Sequence, residues 1–334
     1  MKPSHFLACL CWIVLASVGC ANTPQQPDPP SVPLKNAQTF LKLSTYDGSG
    51  QVTEPSVVTL DSPWHGFKYW MAFSPYPNGD ESKENPSIAA SNDGITWEVP
   101  RGLTNPLEIP TSGYFADASL FYDSQSDQLW VYYIQVSGAR NSLKVLRRVS
   151  SDGVHWLNKS ELFQLPTYEA LSPTVAKVDS TYTMWTVNSG GAGCSAATST
   201  IESRTSSDGI KWSGSYSTNI ALQGYVMWHL TVTYVAPKQE YWAAIAAYPD
   251  GLDCSDTFLF FANSQDGVVW TTYSKPVLTP GSSWDNEEIY KSTVLFDGNT
   301  SRLRVWYSAV SSVGAWHVGL TEGDFDSFLE WLQQ

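Results

Sequence analysis

Positive charge is scarce in this 334-residue chain, where 19 Lys and Arg stand against 32 Asp and Glu for a formal net charge of −13. That scarcity argues against a nucleic-acid partner, because phosphate binding needs a Lys/Arg footprint and no segment supplies one. Charge of either sign is sparse, at 15% of residues. Beyond the first twenty positions no segment approaches the roughly eighteen consecutive apolar residues of a membrane-spanning helix. Also missing are H-E-x-x-H, a C-x-x-C pair, G-x-S-x-G and a phosphate-cradling glycine loop, which leaves metalloprotease, serine-esterase and nucleotide-binding readings without support. What is plentiful is aromatic: 15 Trp, 17 Tyr and 13 Phe must be buried or put to use, and disorder is thereby excluded. Abundant Thr, Val, Tyr, Trp, Ser and Gly favour strands joined by tight turns.

The first residues read as an export signal. Lys2 precedes an apolar run from Phe6 to Val18, too short for a permanent bilayer span. Ser17-Val18-Gly19-Cys20 resembles the lipobox of bacterial lipoproteins, which implies lipidation of Cys20 after cleavage; simple secretion is the alternative. The expected organisation is a signal peptide over 1–19, a Pro-rich tether over 20–36 and one domain over 37–334. The expected location is the outer membrane as a lipoprotein, or the periplasm or exterior. The membrane is then touched only through the lipid. Cleavage removes Lys2 and no acid, so the mature net charge becomes −14, and Cys194 and Cys254 remain as the two other cysteines in an oxidising compartment.

A repeat organises the rest. Ser91-Asn92-Asp93-Gly94-Ile95-Thr96-Trp97 aligns without gaps to segments ending at Trp156, Trp212 and Trp270, and the aspartates Asp93, Asp152, Asp208 and Asp266 are 59, 56 and 58 apart. Asp-Gly between strand-like runs is a hairpin signal, with Asp accepting from following amides and Gly taking the positive φ. Upstream of each turn lies an aromatic strand, and before that a shorter apolar one. Five such units of about 58 residues fill the span from about 38 to 325, so the pattern predicts an all-β, five-bladed β-propeller of four-stranded blades. The fifth unit lacks the turn, and Thr39 to Thr45 are expected to donate its missing strand. The Asp-Gly aspartates read as structural, and chemistry is sought on the opposite face, where the inner strands begin.

Those entries carry Glu54, Asp117 and Glu169 from three successive blades, Trp228-His229 from the fourth and Tyr290-Lys291 from the fifth. The first loop adds Asp80, Glu81 and Glu84. Here the chain resembles the five-bladed propeller glycosidases of the clan that includes glycoside hydrolase family 43. The resemblance implies that Glu54 is the base, Asp117 the tuner of the acid's pKa and Glu169 the general acid. Two departures are evident: Glu54-Pro55 replaces Asp-Pro, and Glu169-Ala170-Leu171-Ser172-Pro173 replaces Glu-Gly-Pro. Acid/base hydrolysis needs one neutral and one ionised carboxyl, and neighbouring negative charge raises the acid's pKa. The alternative is that these carboxylates cap strand ends or pair with Lys291 and Arg148.

The leading reading is an exported, monomeric glycoside hydrolase acting on an arabinose/xylose-type or related glycan, with inversion. The rival is a non-catalytic carbohydrate- or protein-binding propeller lipoprotein at the cell surface. Glu84, Trp228, His229, Tyr290 and Lys291 are expected to bind substrate, and loss of the Glu84 charge to cost little. No metal is expected beyond an axial calcium, which the resemblance would place near His229. Among irregularly placed aromatics, Trp64, Tyr76, Tyr114, Tyr168, Trp228, Tyr248, Trp284 and Tyr290 are candidates for stacking on sugars, whereas the Trp residues that recur in the repeat should pack. The repeat places Cys194 and Cys254 on adjacent loops of one face and predicts a disulfide.

Overall fold

The computed structural model describes residues 33–334. The export signal, Cys20 and most of the tether therefore lie outside the described residues. Blade one contains β1 (Val52–Trp64), β2 (Phe67–Pro75) and β3 (Ser87–Ser91). Blade two contains β4 (Tyr114–Asp123), β5 (Gln128–Val136), β6 (Ser142–Ser150) and β7 (Leu157–Pro166). Blade three runs β8 (Leu171–Val178), β9 (Thr181–Asn188), β10 (Thr200–Ser206) and β11 (Tyr216–Ser217), and blade four β12 (Tyr225–Val235), β13 (Glu240–Pro249), β14 (Phe258–Ser264) and β15 (Trp270–Thr272). Blade five has β16 (Glu288–Asp297), β17 (Arg302–Val310) and β18 (Trp316–Asp324), followed by a helix, α1 (Phe325–Leu332). Every pairing is antiparallel between sequential strands. The inner strands β1, β4, β8, β12 and β16 adjoin in a closed cycle, and the fold is the expected five-bladed propeller.

The repeat explains how each blade is held. In all four copies the Ser hydroxyl accepts from the Gly amide, and the Asp carboxylate accepts from the next two amides, as Asp152 does from Val154 N at 2.9 Å and His155 N at 2.8 Å. Gly153 has φ +74°, and a Cβ there would lie 2.1 Å from the Trp70 ring of the neighbouring blade. Each turn is thus a socket for its neighbour's aromatic strand: Trp130 meets Gly209, Trp185 meets Gly267, and Trp306 meets Gly94.

Blades one and five are thinner at their outer edges. The fourth position of blade one shrinks to a bridge between Ala90 and Glu98. Blade five is closed by the segment before β1, as expected from the repeat, although as an irregular strap: Leu41 N donates to Val318 O at 2.8 Å, and Thr321 Oγ1 to Lys35 O. The repeat did not foretell α1. Asp324 caps it by accepting from Ser327 N at 2.9 Å, and Phe325, Phe328, Trp331 and Leu332 turn one apolar face onto blades four and five, with Phe325 stacked on Trp242. No helix among the described residues is long and apolar enough to cross a membrane.

Candidate active site

Each inner strand breaks register near its entry, between Thr53 and Ser56, Ala116 and Ser119, Leu171 and Thr174, Met227 and His229, and Ile289 and Ser292. In the first three blades the bulge residue has a left-handed backbone: Glu54 at φ +59°, Asp117 at +62° and Ser172 at +52°. Glu54 and Ser172 both precede proline, where steric crowding favours extended backbone. Such conformations cost about 1 to 3 kcal/mol each and persist where surrounding structure enforces them. The bulges re-aim side chains that would otherwise follow the strand pleat. They gather Glu54, Asp117 and His229, whose ligand atoms lie within 4.8 Å of one another, and Lys291 joins them.

Asp117 is the hub. Its Oδ2 accepts from Ser172 N at 2.9 Å, and its Oδ1 from Ser172 Oγ at 3.0 Å, His229 Nδ1 at 3.0 Å and Lys291 Nζ at 3.3 Å. Burial alone would push this carboxyl up, yet the Lys291 ammonium, His229 and the Ser172 amide outweigh it and hold it well below the usual range. Glu54 behaves oppositely. Burial first and the Asp117 charge second push it up to about 8, although Lys291 and Ser74 pull the other way. Its Oε2 accepts from Asp117 N at 2.8 Å and Ser74 Oγ at 2.9 Å. Two carboxyls in one pocket are therefore driven apart, one ionised and one protonated near neutral pH.

Burial lowers His229 and keeps it neutral. Its Nδ1 faces Asp117 and Ser172, and its Nε2 faces the Tyr290 hydroxyl at 2.6 Å, which accepts from Trp228 Nε1 at 2.9 Å. This network assigns the ring proton to Nδ1, with Tyr290 donating to Nε2. Glu84 lies beside the cluster, buried at 8% exposure. Burial, then the charges of Glu54 and Asp117, hold its carboxyl well above the usual range, and no described residue hydrogen-bonds to that carboxylate.

The structure thus brings together Glu54, Asp117, Glu84, Trp228, His229, Tyr290 and Lys291. It does not bring Glu169 to the axis. Glu169 is half-buried in the turn before β8, and Ser172 takes the place in blade three that Glu54 and Asp117 take in theirs. The shared proline was the available signal: aligning Pro173 with Pro55 puts Ser172, not Glu169, opposite Glu54. Ser74 was missed because it enters from a second strand. Among the aromatics, Tyr76, Trp316, Tyr290, Trp228 and Tyr168 make a continuous wall with successive centroid separations of 5.3 and 5.2 Å from Tyr76 to Tyr290 and 6.3 Å between Trp228 and Tyr168. Three others are packing residues. Trp64 lies at the far end of β1 bonded to Asp127, Tyr248 is buried with its hydroxyl on Ala196 O, and Trp284 stacks on Tyr307. The expected Cys194–Cys254 disulfide is present, with Cα atoms 4.9 Å apart.

Among the described residues, Glu54, Asp117 and His229 form the group that could hold a cation. Calcium, which takes six to eight oxygen ligands, does not fit them. Both Asp117 oxygens already hold donors, an imidazole nitrogen is one of the three ligands, and the Lys291 ammonium supplies positive charge where an ion would. On the opposite face the axis opens into a cavity of about 250 Å³ lined mainly by apolar inner-strand residues such as Val58, Phe121 and Val175, remote in character from the charged cluster.

No protein-family model matches the chain. It is similar to an A type blood N-acetyl-alpha-D-galactosamine deacetylase of Flavonifractor plautii, 32% identical over 310 aligned positions, covering 78% of this chain and 40% of that protein. The chain therefore spans two fifths of the length of this curated relative. A crystal structure of an N-acetylgalactosamine deacetylase from F. plautii, in complex with blood group B trisaccharide, superposes with a TM-score of 0.83 and 28% identity over 90% of this chain and 97% of that one. A thermostable family-43 glycoside hydrolase gives 0.61 and 14% over 86% and 92%, and the GH62 alpha-L-arabinofuranosidase of Coprinopsis cinerea 0.60 and 13% over 88% and 98%. The fold of this chain is that of the five-bladed β-propeller glycoside hydrolases, shared with a glycan-acting deacetylase.

Proposed function

We propose that this chain is an exported carbohydrate-acting hydrolase that removes the acetyl group from an acetamido sugar at the end of a glycan. The observation that carries the reading is the pairing at the axis: Glu54 is a carboxyl kept protonated by burial beside ionised Asp117, and Glu84, unpartnered among the described residues, stands next to it. Amide hydrolysis needs one group to take a proton from water and another to give one to the departing nitrogen. Glu84, whose raised pKa makes it a strong base once its own proton has gone to solvent, takes the water proton as the hydroxyl adds to the acetamide carbonyl, so that turnover rises with pH as Glu84 ionises. Glu54 gives its proton to the nitrogen as the C–N bond breaks, leaving an amino sugar and acetate. Asp117, saturated with donors, holds its charge and keeps the proton on Glu54. Lys291, Ser172 and His229 hold Asp117 in place.

Likeness to the deacetylase supports the amide over the glycosidic bond, and the aromatic wall suits the apolar face of a sugar ring. The disulfide suits an oxidising compartment and so supports export. The test is incubation with the A-type trisaccharide, which ends in N-acetylgalactosamine, followed by assays for acetate, free amine and released monosaccharide. Acetate and amine in equal amounts are expected. Monosaccharide release without acetate would instead support glycoside hydrolysis at the axial carboxyls, and binding without either product would support the non-catalytic propeller.

A further inference from the structure

Tyr168 occupies the turn before β8 with φ +67°, a backbone region that bulky residues avoid. Its carbonyl accepts from Ser189 N at 3.0 Å and from Ser189 Oγ at 3.3 Å. Behind its ring runs the backbone of Gly193, where a Cβ would fall 2.6 Å from Tyr168 Cε2. Gly193 has φ 55° and ψ −125°, which a residue with a Cβ does not readily adopt. The loop that carries it, Gly190–Ser195, is tied to blade four at three points: the Cys194–Cys254 disulfide, Cys254 N to Cys194 O at 3.1 Å, and the Tyr248 hydroxyl to Ala196 O at 2.8 Å. In front, the half-exposed ring tilts at 45° towards Trp228 and lies near Tyr114 and Arg140. The ring therefore has a fixed back and an open front on the site face.

We propose that the Gly190–Ser195 loop, clamped by the disulfide, is a positioning device that sets Tyr168 as a stacking platform for the glycan, so that glycan affinity depends on the oxidised state of Cys194 and Cys254. Thiols at these positions leave the loop tied to blade four by two hydrogen bonds alone, and the backing that holds the Tyr168 ring in place is loosened. What binds rests on the glycan reading above; the clamp itself is a property of the fold.

The experiment measures KM and kcat on the A-type trisaccharide, together with amide hydrogen exchange over residues 167–170. For the Cys194→Ser/Cys254→Ser pair, KM should rise about ten- to a hundredfold with kcat changed by less than about twofold, the signature of lost binding rather than lost chemistry. Exchange over 167–170 should accelerate. Gly193→Ala, which keeps the disulfide and displaces the ring, should raise KM alike, and this guards against a pair variant that fails to fold. Tyr168→Phe should retain affinity. Tyr168→Ala should lose it, with no further loss when combined with the cysteine pair. Unchanged exchange and KM in both the pair and Gly193→Ala, or a fall in kcat at constant KM, would overturn the proposal. If the wild-type protein does not bind the trisaccharide, the glycan reading fails separately, and unchanged exchange in the reduced protein overturns the clamp.

Discussion

The two faces of the propeller treat their carboxyl groups in opposite ways, Asp117 on the site face excepted. On the turn face, Asp93, Asp152, Asp208 and Asp266 all lie below the ordinary aspartate range. At Asp208 and Asp266 the following amides are the leading cause, and at Asp93 and Asp152 amides and side chains together outweigh partial burial. On the site face, burial holds Glu54, Glu84 and Glu288 above theirs. The difference is where the partners come from. A turn carboxylate finds its donors within three residues of itself, so the sequence repeats the whole device. An axial carboxyl finds its neighbours on other blades, and its protonation is a property of the assembled ring.

Charge removal should break the comparison most visibly in activity. Glu54→Gln and Glu84→Gln are each expected to lower turnover by about 10² to 10⁴, the usual range for a general acid or base, whereas Asp208→Asn leaves it unchanged. Steady-state kinetics on the trisaccharide checks all three, and full activity in Glu84→Gln would rule Glu84 out as the base. Next comes stability at the axis. Lys291→Met strands Asp117 as a buried, uncompensated charge, so chemical denaturation should show a loss of about 3 to 5 kcal/mol, partly restored by adding Asp117→Asn.

A pH series sharpens the contrast. The unfolded chain gives up the Glu54 and Glu288 protons near 4.5, and the folded chain keeps them to about 8, so stability falls as pH rises between those limits. Glu54→Gln should flatten that fall. Asp93, at about 2 when folded against 3.8 unfolded, contributes the reverse: stability present above 3.8 and lost as pH drops towards 2. Melting temperatures from pH 2 to 9 should therefore show two limbs, and only the alkaline one should respond to Glu54→Gln. Smallest is the removal of one turn aspartate. Asp208→Ala, at an exposed turn, should cost about 1 kcal/mol through its lost backbone hydrogen bonds.

The fold was legible because turn, aromatic strand and inner strand recur at nearly constant spacing, and a period survives even when individual residues vary. The disulfide was legible for the same reason, since the period places Cys194 and Cys254 on neighbouring loops. Part of the site was legible as irregularity set against the period: Glu54, Asp117, His229 and Lys291 were found by reading strand entries. Glu169 shows the limit. A bulge adds residues to one strand, so counting from the strand start misplaces the axial position by three, and only the proline shared by Glu54-Pro55 and Ser172-Pro173 marks the true register. Glu84 was read as a substrate-binding residue of its loop, but its burial beside Glu54 and Asp117 was not foreseen, because the loop folds back towards the axis, a tertiary event that leaves no local pattern. The helix α1 escaped because it is a single appendage outside the repeat.

The strap that closes blade five has a bearing on how the chain folds in time. Lys35 and Thr321, joined by a hydrogen bond, are 286 positions apart. Contacts this distant must wait for nearly all of the chain, while loop-closure entropy grows only logarithmically with length. Until β18 is in place, the strap has no edge to join. The ring can therefore lock only in its last step, and a chain held short of that step carries unpaired strand edges that invite association with other copies.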